Sequence, residues 1–362
     1  MTIRTALVGF GLGGRIFHAP FLAADPDFTI AAIVTSDPER AAVARNEHPE
    51  ARIIPDLDTL LAQARELDLQ LGVVSTPPAR HAEQASALLE AGLHVVVDKP
   101  LTVTAQEGHA LLALADRVGR TLIPFQNRRW DGDFRTLRGL VETGQLGEVR
   151  RLESRFERWK PVETKAWKAG ATGTGVGVLY DLGVHLIDQA VQLLGPIDDL
   201  YAEVRALRPG QGADDDTFVA LQHSGGAISH LWMSAVTPQP GPRFRVLGDR
   251  AGFTAYGLDP IEEQLLAGAR PGQEGFGRRE RDADALVGVH GEDEQRVPLL
   301  RGDYGAFYRG VAQALATGAP APVDPRDSLA VIEIIERIHR DVVQVARPGT
   351  APSDIADSKH GS

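Results

Sequence analysis

The chain has 362 residues, more than one hydrophobic core ordinarily serves, and no cysteine, which removes disulfides, thiolate nucleophiles, zinc-thiolate sites and iron-sulfur clusters. A formal net charge of −11, with no basic cluster interleaved with aromatics, speaks against a nucleic-acid partner and reads as solubility. The opening MTIRTALVGFG runs straight into a strand, without a charged leader or an apolar stretch of membrane-spanning length, so a cytoplasmic protein with no membrane partner is expected.

Taken in chain order, apolar runs at 3–8, 29–34, 69–75, 94–97 and 121–125 read as strands. Helical patterns at 79–91 and 104–118 each end at a glycine, Gly92 and Gly119, and return the chain to a new strand. Strands rich in Val and Ile without alternation suit a parallel sheet covered on both faces. The rhythm changes after Asn127: 134–143 and 181–194 read as helices and 149–156 as a strand, and the runs at 200–207, 218–223, 227–234 and 243–247 are strand-like with turns between them. Gly-rich, charged 268–298 reads as a surface excursion with little chemistry, or a lid; 304–316 and 328–345 read as closing helices. The expected fold is α/β: a Rossmann domain over 1–125 with a parallel sheet, an α/β domain over 126–345 with an open, mainly antiparallel sheet, and a tail at 346–362.

Gly9, Gly11 and Gly14 make the spacing G-x-G-x-x-G directly after a strand: one glycine for the tight turn, one for approach of a pyrophosphate, one for packing helix on strand. Unpaired N–H groups at the following helix start favour an anion. Pro20 cannot donate into a continuing helix, so a break is expected near His18 or Ala19. The second strand ends at Ser36 and Asp37. With Ser36 at the discriminating position, its hydroxyl and Arg40 suit the ribose phosphate of NADP, whereas Asp37 there suits NAD; the reading favours NADP.

Lys99, in the run Asp98-Lys99-Pro100 after a buried strand, stands at the sheet edge where ligands bind. Its ammonium there would steady the alkoxide character that develops as hydride leaves, and Pro100 suits a cis bond. Asp181 and His185, four apart on a helix, converge on one point, where a neutral His accepts a hydroxyl proton and a carboxylate orients it. A metal is not expected, since this pair has no evident third ligand, and a hydrolase is not, since no G-x-S-x-G elbow occurs. Asn127, Arg128, Arg129 and Trp130 follow the last strand of the first sheet and suit a polyhydroxylated ligand, as do Trp167 and Arg158.

Together, Gly9-Phe10-Gly11-Leu12-Gly13-Gly14, Ser75-Thr76-Pro77 with His81, Asp98-Lys99-Pro100, and Asp181 with His185 resemble the Gfo/Idh/MocA (glucose-fructose oxidoreductase/inositol dehydrogenase) family over nearly the whole chain. The runs 125–131 and 178–183 look like the subgroup that includes NADP-dependent scyllo-inositol dehydrogenase. The resemblance implies a cofactor site from these glycine-turn residues with Ser75, Thr76, Pro77, His81, Asp98, Lys99 and Asn127, and a substrate site between two domains. It makes Lys99 the active-site lysine, Asp181 the substrate-binding acid and His185 the proton acceptor, and implies homodimers or homotetramers built on the second sheet. Asp98 departs from the usual Glu of the acid-Lys-Pro triplet. The expected activity is hydride transfer between a cyclitol or sugar alcohol and NADP or NAD. The contrasting readings are a silent dinucleotide- and sugar-sensing regulator and a sugar-sugar oxidoreductase that keeps its cofactor.

Overall fold

The computed structural model describes residues 2–162, 175–210, 212–279 and 284–341; Trp167 and the tail 346–362 lie outside these. Six short strands, β1 (Ile3–Val8), β2 (Phe28–Val34), β3 (Arg52–Ile54), β4 (Leu71–Val74), β5 (His94–Val97) and β6 (Leu122–Pro124), form a parallel sheet in the order β3-β2-β1-β4-β5-β6. All four residues of β4 are buried, as the unalternating apolar runs require when helices cover both faces. Those helices are α1 (Ala19–Ala24), α2 (Pro38–Glu47), α3 (Leu57–Gln63), α4 (His81–Glu90) and α5 (Ala105–Val118). Helix α5 shows why the boundaries were readable: Thr104 and Glu107 form a reciprocal capping box, and Gly119 ends the helix at φ +66°. The chain steps from β1 to one side and returns through β4 on the other, so a crevice opens at their carboxyl ends.

Near Pro20 the helix after β1 does not simply kink. A π-helical turn, Gly13–His18, runs into α1, with Pro20 in its first turn and His18 at φ −115° between them. Proline donates no N–H, so the widened register ends where the ring enters. Lys99-Pro100 is a cis peptide bond.

The later chain forms α6 (Gly132–Glu142), β7 (Val149–Glu157), α7 (Val184–Leu194), β8 (Ile197–Arg205), β9 (Asp216–His223), β10 (Ile228–Ser234), β11 (Phe244–Gly248), β12 (Gly252–Ala255), α8 (Ile261–Leu266), β13 (Ala285–Gly288), β14 (Gln295–Val297), α9 (Gly305–Thr317) and α10 (Pro325–Asp341). The strands make a second sheet in the order β14-β13-β12-β11-β7-β10-β9-β8, antiparallel apart from the β7–β10 pair. One face packs against α7 and α10 through Leu186, Ile187, Val331 and Ile335. The other carries an aromatic stripe across β8, β9 and β10: Phe218 lies 6.4 Å from Tyr201 and 5.0 Å from Trp232, with the Arg155 guanidinium 3.9 Å over the Trp232 ring. Helix α9 turns back to the first sheet, where Tyr304, Phe307, Tyr308 and Val311 share a core with Leu7, Phe10, Phe21 and Phe125.

The excursion expected over 268–298 is corrected. Phe276 is buried in the core, Arg279 pairs with buried Asp133 at 2.9 Å, and β13 and β14 extend the second sheet. Short strands of four and three residues embedded among charges carry too little periodicity to announce themselves. No described helix is long and apolar enough to cross a membrane.

Candidate active site

The glycine turn lies at the carboxyl end of β1. A Cβ on Gly9 (φ +99°) would meet the Ser75 carbonyl oxygen at 2.4 Å, one on Gly13 the Ser75 hydroxyl at 2.4 Å, and one on Gly14 the Gly9 carbonyl oxygen at 2.0 Å. These three glycines are demanded by packing of the turn on β4 and on itself. Gly11 differs, since a Cβ there would approach only Arg40 Nη1, at 3.8 Å, leaving that face open. The open face, bounded by a guanidinium and the start of a helical turn, fits the pyrophosphate and ribose of a dinucleotide. Phe10 is a core residue with its ring edge-on to His48 and contributes backbone only, while Leu12 is half exposed.

At the end of β2 the two competing residues have separate fates. Asp37 caps α2: its Oδ1 accepts from the N–H groups of Glu39 and Arg40 at 2.9 and 3.0 Å, and its Oδ2 stands 3.6 Å from Arg40 Nε. Ser36 is exposed and Arg40 extends beside Gly11. The carboxylate is thus occupied with its own helix, and the guanidinium is the group beside the open face.

Lys99 leaves the end of β5 and reaches Asp181, donating from Nζ to its Oδ1 at 2.7 Å and to its carbonyl oxygen at 2.6 Å. Asp181 lies on a π-helical turn, Leu179–Gly183, which continues as α7 and brings in His185. This turn is itself capped: buried Asp214 accepts from the Leu179 N–H and the Thr217 hydroxyl, both at 2.8 Å. His185 is 3% exposed, and its Nδ1 has no hydrogen-bond partner among the described residues. Burial, with the charges of Lys99 and Arg128, pushes its pKa well below the ordinary histidine value, against the pull of Asp181. The site therefore offers a fixed cation, a carboxylate and a neutral imidazole at one focus.

Asp98, beside Lys99, accepts from the Ser75 hydroxyl at 3.0 Å and the Lys99 N–H at 2.8 Å. Burial opposes its charge, but His18, Lys99 and His81 hold its pKa down at about 2. Arg128 and Arg158 flank the Phe156 ring at 4.6 and 4.7 Å and both bind Glu262, at 2.6 and 3.1 Å. The charge of Lys99 adds to that of Arg128 and Arg158 in holding the Glu262 carboxyl ionised. Asn127 is buried just beyond β6.

Three sequence-derived candidates are engaged by other parts of the fold. Arg129 is spent on Asp188, at 2.5 Å, and Asp327, at 3.0 Å; Trp130 packs edge-on to Phe307 at 5.7 Å in the first core. Neither joins the cluster at Lys99. His81 is completely buried, with Nδ1 2.8 Å from the Pro100 carbonyl oxygen and Nε2 2.8 Å from that of Thr76, so it stitches two loops together and has no atom left for a cofactor. Thr76 in turn donates to Gln84 at 2.6 Å, and Pro77 precedes a 3-10 turn into α4. Glu262, Asp214 and His18 had no sequence motif to mark them; they reach the site only through the fold.

Residues 3–125 match the model of an oxidoreductase family with an NAD-binding Rossmann fold, and residues 134–254 match the GFO/IDH/MocA C-terminal domain. The scyllo-inositol 2-dehydrogenase (NADP(+)) of Bacillus subtilis is 33% identical over 92% of each chain, and an uncharacterized oxidoreductase of Escherichia coli is 38% identical over 92% of this chain and 94% of its own. A solved oxidoreductase structure from Bacillus subtilis superposes with a TM-score of 0.86 at 31% identity, covering 94% of this chain and 97% of that one. The glycine turn, the two sheets and these likenesses agree: the chain belongs to the Gfo/Idh/MocA family of oxidoreductases and is a dehydrogenase.

Proposed function

We propose that the chain reversibly oxidises a secondary alcohol of a cyclitol or related sugar, with NADP as the preferred cofactor, in a cleft between a nucleotide domain (1–125) and a substrate domain (126–345). The observation that carries this reading is the Lys99–Asp181 contact at 2.7 Å beside a buried, neutral His185. When bound, the nicotinamide supplies the hydride acceptor. A substrate hydroxyl entering the cleft displaces one Lys99 donor from Asp181 and takes it over, so the ammonium stabilises the alkoxide character of the reacting oxygen. Asp181, two-fifths exposed, holds a neighbouring hydroxyl. His185 accepts the hydroxyl proton, and its depressed pKa keeps the imidazole unprotonated until then. Glu262 adds acceptors and the guanidinium groups of Arg128 and Arg158 that hold it add donors for further hydroxyls, the pattern a polyol needs.

The preference for NADP is supported by Asp37 being engaged as a helix cap while Arg40 lies beside Gly11, and by the named cofactor of the Bacillus subtilis relative. Assembly as a homodimer or homotetramer through the aromatic face of the second sheet completes the proposal. The test is steady-state oxidation of a panel of inositols and aldoses with each cofactor. Turnover of a cyclitol or sugar with kcat/KM higher for NADP is expected. Binding of NADPH without turnover of any polyol would make the protein a sensor, and nucleotide copurifying in stoichiometric amount would make it a sugar-sugar oxidoreductase.

A further inference from the structure

Asp98 sits where the cofactor turn, β4 and Lys99 meet. A Cβ on Gly13 would fall 2.8 Å from its Oδ2, the Ser75 hydroxyl donates to that oxygen, and the Lys99 N–H donates to Oδ1. A further neighbour comes from the π-helical turn, which swings His18 inward to complete burial. The His18 ring lies 4.3 Å from that of Phe125, with Nε2 3.4 Å from Asp98 Oδ2 and Nδ1 2.7 Å from the Tyr308 hydroxyl. Tyr308 is equally buried on α9, and burial beside Asp98 pushes its pKa well up, so the phenol keeps its proton. That proton has Nδ1 as its acceptor. With the phenol donating, the ring proton is on Nε2, which has no hydrogen-bond partner among the described residues and lies nearest the carboxylate in an ionic approach of 3.4 Å.

We propose that His18, set by Tyr308, is a positioning residue that clamps the Asp98 carboxylate between the glycine turn and the Lys99 N–H, so that the cofactor seat and the lysine are held as one unit. The proposal rests on the role given to Lys99 above and adds what keeps that lysine in place. His18 touches neither substrate nor cofactor in this account, so it acts only through Asp98.

The test uses the full chain with NADP and the best polyol from the panel, comparing His18→Leu, His18→Gln, Tyr308→Phe and Lys99→Ala. Gln offers an amide donor near the position of Nε2, whereas Leu offers none. His18→Leu is expected to lower kcat by about tenfold or more, the size of effect that misplacing a reacting group produces, with the alcohol KM within about twofold. NADPH binding, read by fluorescence, is expected to weaken severalfold. His18→Gln is expected to restore most of kcat, and Tyr308→Phe, which removes a single oxygen, to fall between. Equal kcat in all three, while Lys99→Ala loses turnover, overturns the clamp and leaves the reaction assignment standing. Equal losses in the Leu and Gln variants that track a common fall in melting temperature reduce His18 to packing and also overturn it. Full turnover in Lys99→Ala overturns the reaction assignment and the clamp with it.

Discussion

A histidine buried between a lysine and an arginine is an unusual proton acceptor, because the charge it must take on is opposed by both neighbours and by the loss of water. His185 escapes this conflict only while Asp181 is beside it and a substrate oxygen is shedding its proton. The consequence is a sign that can be checked. The imidazole must be neutral to work, and its folded pKa lies well below 6.5, so activity is retained until the pH falls through that lowered value. The acid limb of kcat/KM for alcohol oxidation is therefore expected below 6.5, read from initial rates at saturating NADP; a limb at or above 6.5 contradicts the environment described. At this scale the sequence marked Lys99, Asp181 and His185 because each stands at a strand end or at helical spacing. It gave no sign of the partners of Arg129 and His81, Asp188 with Asp327 and the Pro100 carbonyl oxygen, because these are fixed by folding and have no local signature.

Two π-helical turns, Gly13–His18 and Leu179–Gly183, each open one end of the active site, and neither is a pattern that hydrophobic spacing distinguishes from an α-helix. Pro20 gave the only hint. The second turn depends on Asp214, whose side chain is buried and whose pKa burial raises from 3.8 to about 6. A carboxyl with a raised folded pKa contributes stability that is whole below its unfolded value and lost as pH rises through about 6. Asp214→Asn keeps an oxygen for the Leu179 N–H and Thr217 but has no proton to lose. Its melting temperature relative to the parent is expected to rise between pH 4 and pH 7, while Asp214→Ala, which strands both donors, is expected to cost about 1–3 kcal/mol at pH 4, where the parent carboxyl is protonated. Thermal denaturation at both pH values tests this; a flat Asn-minus-parent difference is the contrary result. Strands β13 and β14 taught the same lesson from the other side, since charge density around short edge strands hid them.

Across the whole molecule, the parallel sheet was legible because five of its six strands carry apolar runs, whereas β3, three residues long with an exposed Arg52, gave no such signal; the second sheet was legible because β9 and β10 bury alternate residues. What alternation does not reveal is the character of the outer face. There Tyr201 is 59% exposed and joins Phe218, His230 and Trp232 in one aromatic patch. If this face joins copies of the chain, a double Tyr201→Glu, Trp232→Glu variant is expected to lower the mass measured by light scattering with its circular dichroism unchanged. An unchanged mass rules out the face as the interface.

All of these scales meet at Lys99, which the first sheet positions, the second domain's Asp181 receives, and the cofactor turn lies beside. The most direct measurement is turnover of the best polyol by Lys99→Ala alongside its affinity for NADPH. The expected result is a fall in kcat of about 10²-fold or more, as when a single oxyanion donor is removed, with NADPH affinity within a few-fold of the parent. Parental turnover in that variant, with cofactor still bound, would contradict it.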